Sequence, residues 1–260
     1  MAATAAVLLL CVAAPLVLPD ATWAASKKSC EARASHDPDV PVWARHRHAT
    51  VLVDSVLLGS MPGIRKALPC WRLDMYGRPA LMIRIAEQEL RSTRKRIAPV
   101  AIVGLGYNSL WERNRGRYGY WSARFRSEAD RLIRTLRRQG AKEIVWVTLR
   151  EPKAQYLTST GIGELGKYSW YFPYVNEQLR RMDRRRDNMV LADWTAVSDR
   201  RGLTYDSIHV TPDGAALMGR TIEKAIFHEA QRITRLTKAR ERRESRRDRP
   251  KAPASGDQVG

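Results

Sequence analysis

The sequence predicts an α/β fold built on a doubly wound, parallel sheet, and two observations predict it. Continuous apolar runs at residues 100–105 (VAIVGL), 143–149 (EIVWVTL) and 188–192 (NMVLA) have the composition of strands buried on both faces. Stretches with helical spacing separate these runs, and alternation of strand and helix is how a parallel sheet covered on both sides is written in sequence. A length of 260 residues with 44% hydrophobic content supplies the core that such a domain needs. The same figures exclude a disordered chain and a polytopic membrane protein.

In chain order, residues 49–53 (ATVLV) form a first strand and residues 71–75 a second, weaker one. Residues 79–96 set Leu81, Ile85 and Leu90 on one helical stripe. Residues 121–139 do the same with Phe125, Ala129, Leu132 and Leu136, and stop at Gly140, the residue type that ends helices. A third helix covers 171–186, and its arginine-rich end suits the negative pole of the helix dipole. Thr211-Pro212 opens the last helix, with Thr211 as N-cap and Pro212 in the first helical position. Sites in such folds lie beyond the carboxyl ends of the strands.

The amino terminus predicts export. Residues 7–18 are apolar apart from Pro15, too short for a transmembrane helix of roughly 20 residues, and Thr22 and Ala24 suit a signal-peptidase site. Residues 1–24 are therefore expected to be a signal peptide and 25–48 an N-terminal extension. The domain proper is expected over 49–237, and 238–260 as a basic, disordered tail. Two cysteines then remain, Cys30 and Cys70, and in an oxidising compartment they predict one disulfide, the alternative being two unrelated buried thiols. Closing a loop of about 40 residues would contribute roughly 3–4 kcal/mol on the chain-entropy account.

The charge is lopsided, with 46 Lys and Arg against 27 Asp and Glu, a formal net of +19. Residues 238–251 hold eight basic and three acidic residues, so most of the surplus lies on the body. No helix-turn-helix, zinc-ligand or RNA-binding signature accompanies it, so no nucleic-acid partner is expected. For an exported chain the electrostatic partner is instead an anionic envelope polymer or lipid headgroup.

Three segments at strand ends carry the chemistry. Asp54-Ser55 follows the first strand, where a serine hydroxyl sits beside the N–H groups of a helix start. Asn108 follows the third strand in Gly106-Tyr107-Asn108, where its amide suits an oxyanion donor. Asp206-Ser207-Ile208-His209-Val210-Thr211-Pro212-Asp213-Gly214 precedes the last helix, and an aspartate three residues before a histidine can hold Nδ1 and leave Nε2 as a base. Ser55, His209 and Asp206 together have the composition of a nucleophile, a base and its orienter.

With these motifs in this order, the chain from about residue 49 to 226 resembles the SGNH/GDSL hydrolase family, in particular its exported actinobacterial-type domains. The resemblance implies a flavodoxin-like, three-layer α/β/α sandwich with a five-stranded parallel sheet. It implies Ser55, Asp206 and His209 as catalytic residues, and the N–H groups of Ser55 and Gly77 with the Asn108 amide as the oxyanion hole. Neither a metal nor an organic cofactor is implied. One departure stands out: the family's G-D-S reads Val53-Asp54-Ser55, and a β-branched residue does not readily adopt positive φ. Either the turn keeps φ negative or the oxyanion geometry is disturbed.

The expected activity is hydrolysis of an O-acetyl or short acyl ester on an envelope glycan or glycolipid. The same triad would serve an O-acyltransferase if a sugar hydroxyl replaced water, and a degenerate scaffold would leave a non-catalytic envelope-binding protein. Tyr107, Trp111 and Trp170, near the strand ends and the long 150–169 connection, are expected substrate contacts. His36, His46, His48 and His228 lack a catalytic context, and Asp193 reads as a capping carboxylate.

Overall fold

The architecture comes from a computed structural model that describes residues 46–112, 118–151 and 170–247. Strand β1 (His48–Val53) leads into helix α1 (Ser55–Ala67), and β2 (Arg72–Gly77) into α2 (Ile83–Thr93). Strand β3 (Val100–Gly104) is followed by a 3-10 helix (Tyr107–Glu112) and α3 (Tyr118–Arg138). Then come β4 (Glu143–Val147), α4 (Tyr171–Asp183), β5 (Met189–Ala192), the single turn α5 (Trp194–Val197) and α6 (Pro212–Arg247).

The five strands form one parallel sheet in the order β2-β1-β3-β4-β5. Strands β1, β3 and β4 are buried almost throughout, as their apolar runs require, whereas β2 lies at the edge and is partly exposed. One face of the sheet is covered by a core built on Leu90, Phe125, Leu132, Tyr171 and Val175, from α2, α3 and α4. The other is covered by Leu57, Ile64, Met218, Ile222 and Ile226, from α1 and α6. These are the three layers of the SGNH hydrolase fold.

Helices α1 and α6 approach very closely. A Cβ on Gly63 would stand 1.9 Å from the Ala215 carbonyl oxygen, and one on Gly219 would stand 2.2 Å from the Gly63 carbonyl oxygen. Helix α6 also runs ten residues past the expected start of the disordered tail at 238. Its Lys, Ala, Arg and Glu composition there has high intrinsic helix propensity, which carries a solvated helix onward without apolar periodicity. Residues 1–45, holding the expected signal peptide and Cys30, and residues 152–169 of the long connection lie outside the described residues, as do 248–260.

Candidate active site

The sheet order sets the site. Because β1 lies between β2 and β3, the segments that follow these three strands share one edge of the sheet. Ser55 is the first residue of α1, and Asp54 before it is the N-cap, its Oδ1 accepting the Val56 N–H at 3.0 Å. The capping role that a strand-end serine often plays thus falls to its neighbour, which leaves the Ser55 hydroxyl available.

That hydroxyl lies 2.9 Å from His209 Nε2. On the other side of the ring, His209 Nδ1 lies 2.5 Å from Asp206 Oδ2. Asp206 is itself fixed by its own turn, since its Oδ1 accepts the N–H groups of Ile208 (3.1 Å) and His209 (2.7 Å). A carboxylate at Nδ1 favours the tautomer that carries its proton there, so Nε2 accepts from the serine. Ser207, between the two, has φ of +76°, the left-handed region that a non-glycine residue occupies at a cost. Thr211 caps α6 by accepting the Gly214 N–H at 3.2 Å, which sets the exit of this turn.

Two residues beyond the sequence reading hold this arrangement. Arg150, just after β4, is 3% exposed and spends its guanidinium on one loop. Nε donates to the Ser198 carbonyl (3.0 Å), one terminal nitrogen to the Arg200 carbonyl (3.0 Å), and the other to Thr204 Oγ1 and the Ser207 carbonyl (3.3 Å). Tyr205 stacks on His209, with centroids 5.8 Å apart and planes inclined by 13°, and is 64% exposed. Its position next to Asp206 was the only signal in the sequence. Arg150 left none, because its partners lie about 50 residues away.

Asp54 is fully buried and accepts the Asn108 Nδ2–H at 3.1 Å. Burial is the largest influence on its carboxyl and pushes the pKa up to about 7, against the opposing hydrogen bonds from Val56, Leu57 and Asn108. The sequence placed the Asn108 amide toward an oxyanion; one of its two amide N–H bonds is directed to Asp54 instead, which fixes the plane of the amide.

The departure at Val53 is accommodated. Val53 is the last residue of β1 and does not have positive φ. Glycines lie opposite it on both sides, Gly77 in β2 and Gly104 in β3. A Cβ on Gly77 would stand 2.2 Å from the Val53 carbonyl oxygen and 2.4 Å from its Cγ2. The Val53 side chain occupies the space that a Gly77 side chain would need, whereas the space beside Gly104 is filled by Leu57, 2.3 Å from a Cβ placed there.

The expected substrate contacts separate. Tyr107 is a correction: it is only 7% exposed, packs 5.8 Å from Phe172, and its hydroxyl accepts the Arg150 N–H at 2.5 Å. Its ring belongs to the core because the 3-10 helix turns that face inward. Trp170 is partly buried against the same core, edge-on to Tyr171 at 5.9 Å. Trp111 lies in the 3-10 helix, with its side chain outside the described residues. His48 is more than a solvated histidine, since its Nε2 lies 2.6 Å from Asp74 Oδ2. Asp193 caps α5 by accepting the Ala196 N–H at 3.3 Å. Cys70 is disulfide-bonded, with its partner outside the described residues.

No protein-family model matches the chain, and no curated protein matches it. Solved structures do. A GDSL-like lipase from Bacteroides thetaiotaomicron aligns over 79% of this chain and 98% of its own, with a TM-score of 0.52 at 13% identity. A Bacteroides fragilis protein assigned as an acylhydrolase aligns over 77% and 95%, with a TM-score of 0.53 at 13% identity. A lipase from a goat rumen metagenome covers 68% and 96%, with a TM-score of 0.51 at 14% identity. At these identities the likeness is one of fold.

Proposed function

We propose that this chain, which has the SGNH/GDSL hydrolase fold, is an exported serine esterase that cleaves O-acetyl or other short acyl esters on an envelope glycan or glycolipid. One observation carries the reading: a serine hydroxyl 2.9 Å from an imidazole whose other nitrogen meets a carboxylate at 2.5 Å. That is the geometry of an activated nucleophile.

In the first half-reaction Ser55 Oγ attacks the ester carbonyl carbon while His209 Nε2 takes the hydroxyl proton. The oxyanion is met by the N–H groups of Ser55 and Gly77 and by the Asn108 amide, with the α1 N-terminus behind them. Collapse of the tetrahedral intermediate breaks the bond to the alcohol oxygen, which leaves with the proton from His209. Water then attacks the acyl-serine, giving its proton to His209, and collapse returns that proton to Ser55 and releases the carboxylic acid. Asp206 holds the imidazole and stabilises its cationic form throughout. The accommodation of Val53 beside Gly77 supports an active site over a degenerate scaffold.

Export and a Cys30–Cys70 disulfide belong to the same proposal, supported by the short apolar leader and by Cys70 being disulfide-bonded. Peptide mapping without reduction tests that pairing. The activity is tested with short-chain p-nitrophenyl esters and a fluorophosphonate probe. Wild type should hydrolyse p-nitrophenyl acetate and label covalently, and Ser55→Ala should lose at least about 10³-fold in kcat/KM and all labelling. Wild-type turnover no faster than the variant's, with no labelling, sinks the esterase reading.

A further inference from the structure

A second site lies away from the triad, in a groove between α3 and α4. It encloses about 690 Å³ and is lined by Arg126, Arg134, Arg181, Arg185 and Arg186, with Asp130 as its one acidic residue. Both helices run back toward the sheet edge where the strands begin, so this groove is remote from Ser55 and His209.

Two of the arginines are tied down: Arg186 to Asp130, and Arg181 to Glu177 at 2.8 Å. The other three, Arg126, Arg134 and Arg185, are exposed and have no carboxylate partner among the described residues. Gln178 also lines the groove. It is 5% exposed, and its Oε1 has no hydrogen-bond partner among the described residues. The groove thus presents three exposed guanidinium groups with no carboxylate partner among the described residues.

We propose that this groove binds a linear phosphodiester polymer without bases, such as a polyol-phosphate chain. Arg126 and Arg134 are two helical turns apart on α3, a rise of about 12 Å, which one phosphate cannot bridge but a chain of them can. The volume lies within the ~300–1,000 Å³ of small-molecule sites, room for several linked units. A recessed groove does not meet a flat bilayer along its length. Its lining holds no aromatic ring, the platform on which single-stranded nucleic acids stack their bases. The proposal goes beyond the esterase reading and stands whether or not Ser55 is a nucleophile.

The test is titration of the full-length chain with poly(glycerol phosphate), comparing two variants that each remove three positive charges. One is Arg126→Gln/Arg134→Gln/Arg185→Gln in the groove. The other is Arg65→Gln/Lys66→Gln/Lys224→Gln on the exposed surface of the opposite layer. Wild type should bind with a steep salt dependence. The groove variant should lose at least tenfold in affinity, with a log–log salt slope shallower by about 2, while the control changes less than threefold. Single Arg134→Gln, should the triple variant not fold, is expected to weaken binding two- to threefold. Absence of wild-type binding, or equal loss in both triple variants, overturns the proposal. Tighter binding of a single-stranded oligonucleotide that depends on the same arginines makes this a nucleic-acid groove and overturns it too. Dependence of phosphatidylglycerol-vesicle binding on these arginines, with none for the polymer, overturns it in favour of a membrane.

Discussion

Val53 and Gly77 form a single packing unit, and their relation shows what a motif departure costs. The valine keeps extended backbone, and the room for its side chain comes from Gly77 in the neighbouring strand. Gly77→Ala should therefore destabilise the protein by about 2–3 kcal/mol in urea denaturation, since the new Cβ meets a backbone carbonyl as well as a side chain. Val53→Ala should not rescue it, because the carbonyl remains. Full recovery in the double variant would mean the Cγ2 contact alone mattered. The candidate site was legible at this scale: Ser55, Asp206 and His209 stand out because serine at a strand end and D-x-x-H before a Thr-Pro helix start are local patterns, and the fold brings them within hydrogen-bond reach. Tyr107 was misread because a 3-10 helix sends successive side chains in directions that a strand-end rule does not anticipate.

Among the elements, the triad depends on two long-range contacts. Helix α1 carries Ser55 at its start, and α6 follows His209, so the Gly63–Gly219 approach of these helices sets how the Ser55 hydroxyl meets the His209 imidazole. The loop before α6 is held by Arg150, whose guanidinium satisfies carbonyls at Ser198, Arg200 and Ser207. Removing it strands those acceptors and frees a turn that includes a left-handed serine. Arg150→Met should lower stability by about 3 kcal/mol. Well below its melting temperature, it should also label with fluorophosphonate at least tenfold more slowly than wild type. Labelling at the wild-type rate by a folded variant would reduce Arg150 to a packing role. Strand and helix existence followed from apolar runs and periodicity. The α6 extension did not, because a solvated helix needs no apolar stripe and its sequence looks like a tail.

For the whole molecule, two buried carboxyls at opposite edges of the sheet link folding to pH. Burial raises Asp54 from 3.8 to about 7. Burial, aided by the Glu229 charge, raises Glu143 from 4.5 to about 8. Between the ordinary and the raised value, the folded chain holds a proton that the unfolded chain has released. Stability therefore falls as pH rises through that interval, for Asp54 by up to about 4 kcal/mol. The melting temperature should drop between pH 5 and pH 8. Asp54→Asn, which keeps a capping side chain, should reduce the slope below about pH 7, Glu143→Gln should flatten the part above it, and the two together should flatten the whole interval. A melting temperature that rises over this range in wild type would contradict the assignment.

The sequence alone determined the layers and the parallel sheet, because periodicity is written within each element, and it singled out Ser55, Asp206 and His209, whose motifs are each only a few residues long. Only the tertiary structure decided that Asp54 rather than Ser55 caps α1, and that Val53 fits because Gly77 lies beside it. It also decided that Arg150 fastens the Asp206–His209 turn, and that five arginines from α3, α4 and the turn after α4 converge on one groove. Apart from the Asp54 cap, those features join residues about 20 to 60 positions apart, and their energy comes from burial and close approach, which exist only once the chain has packed.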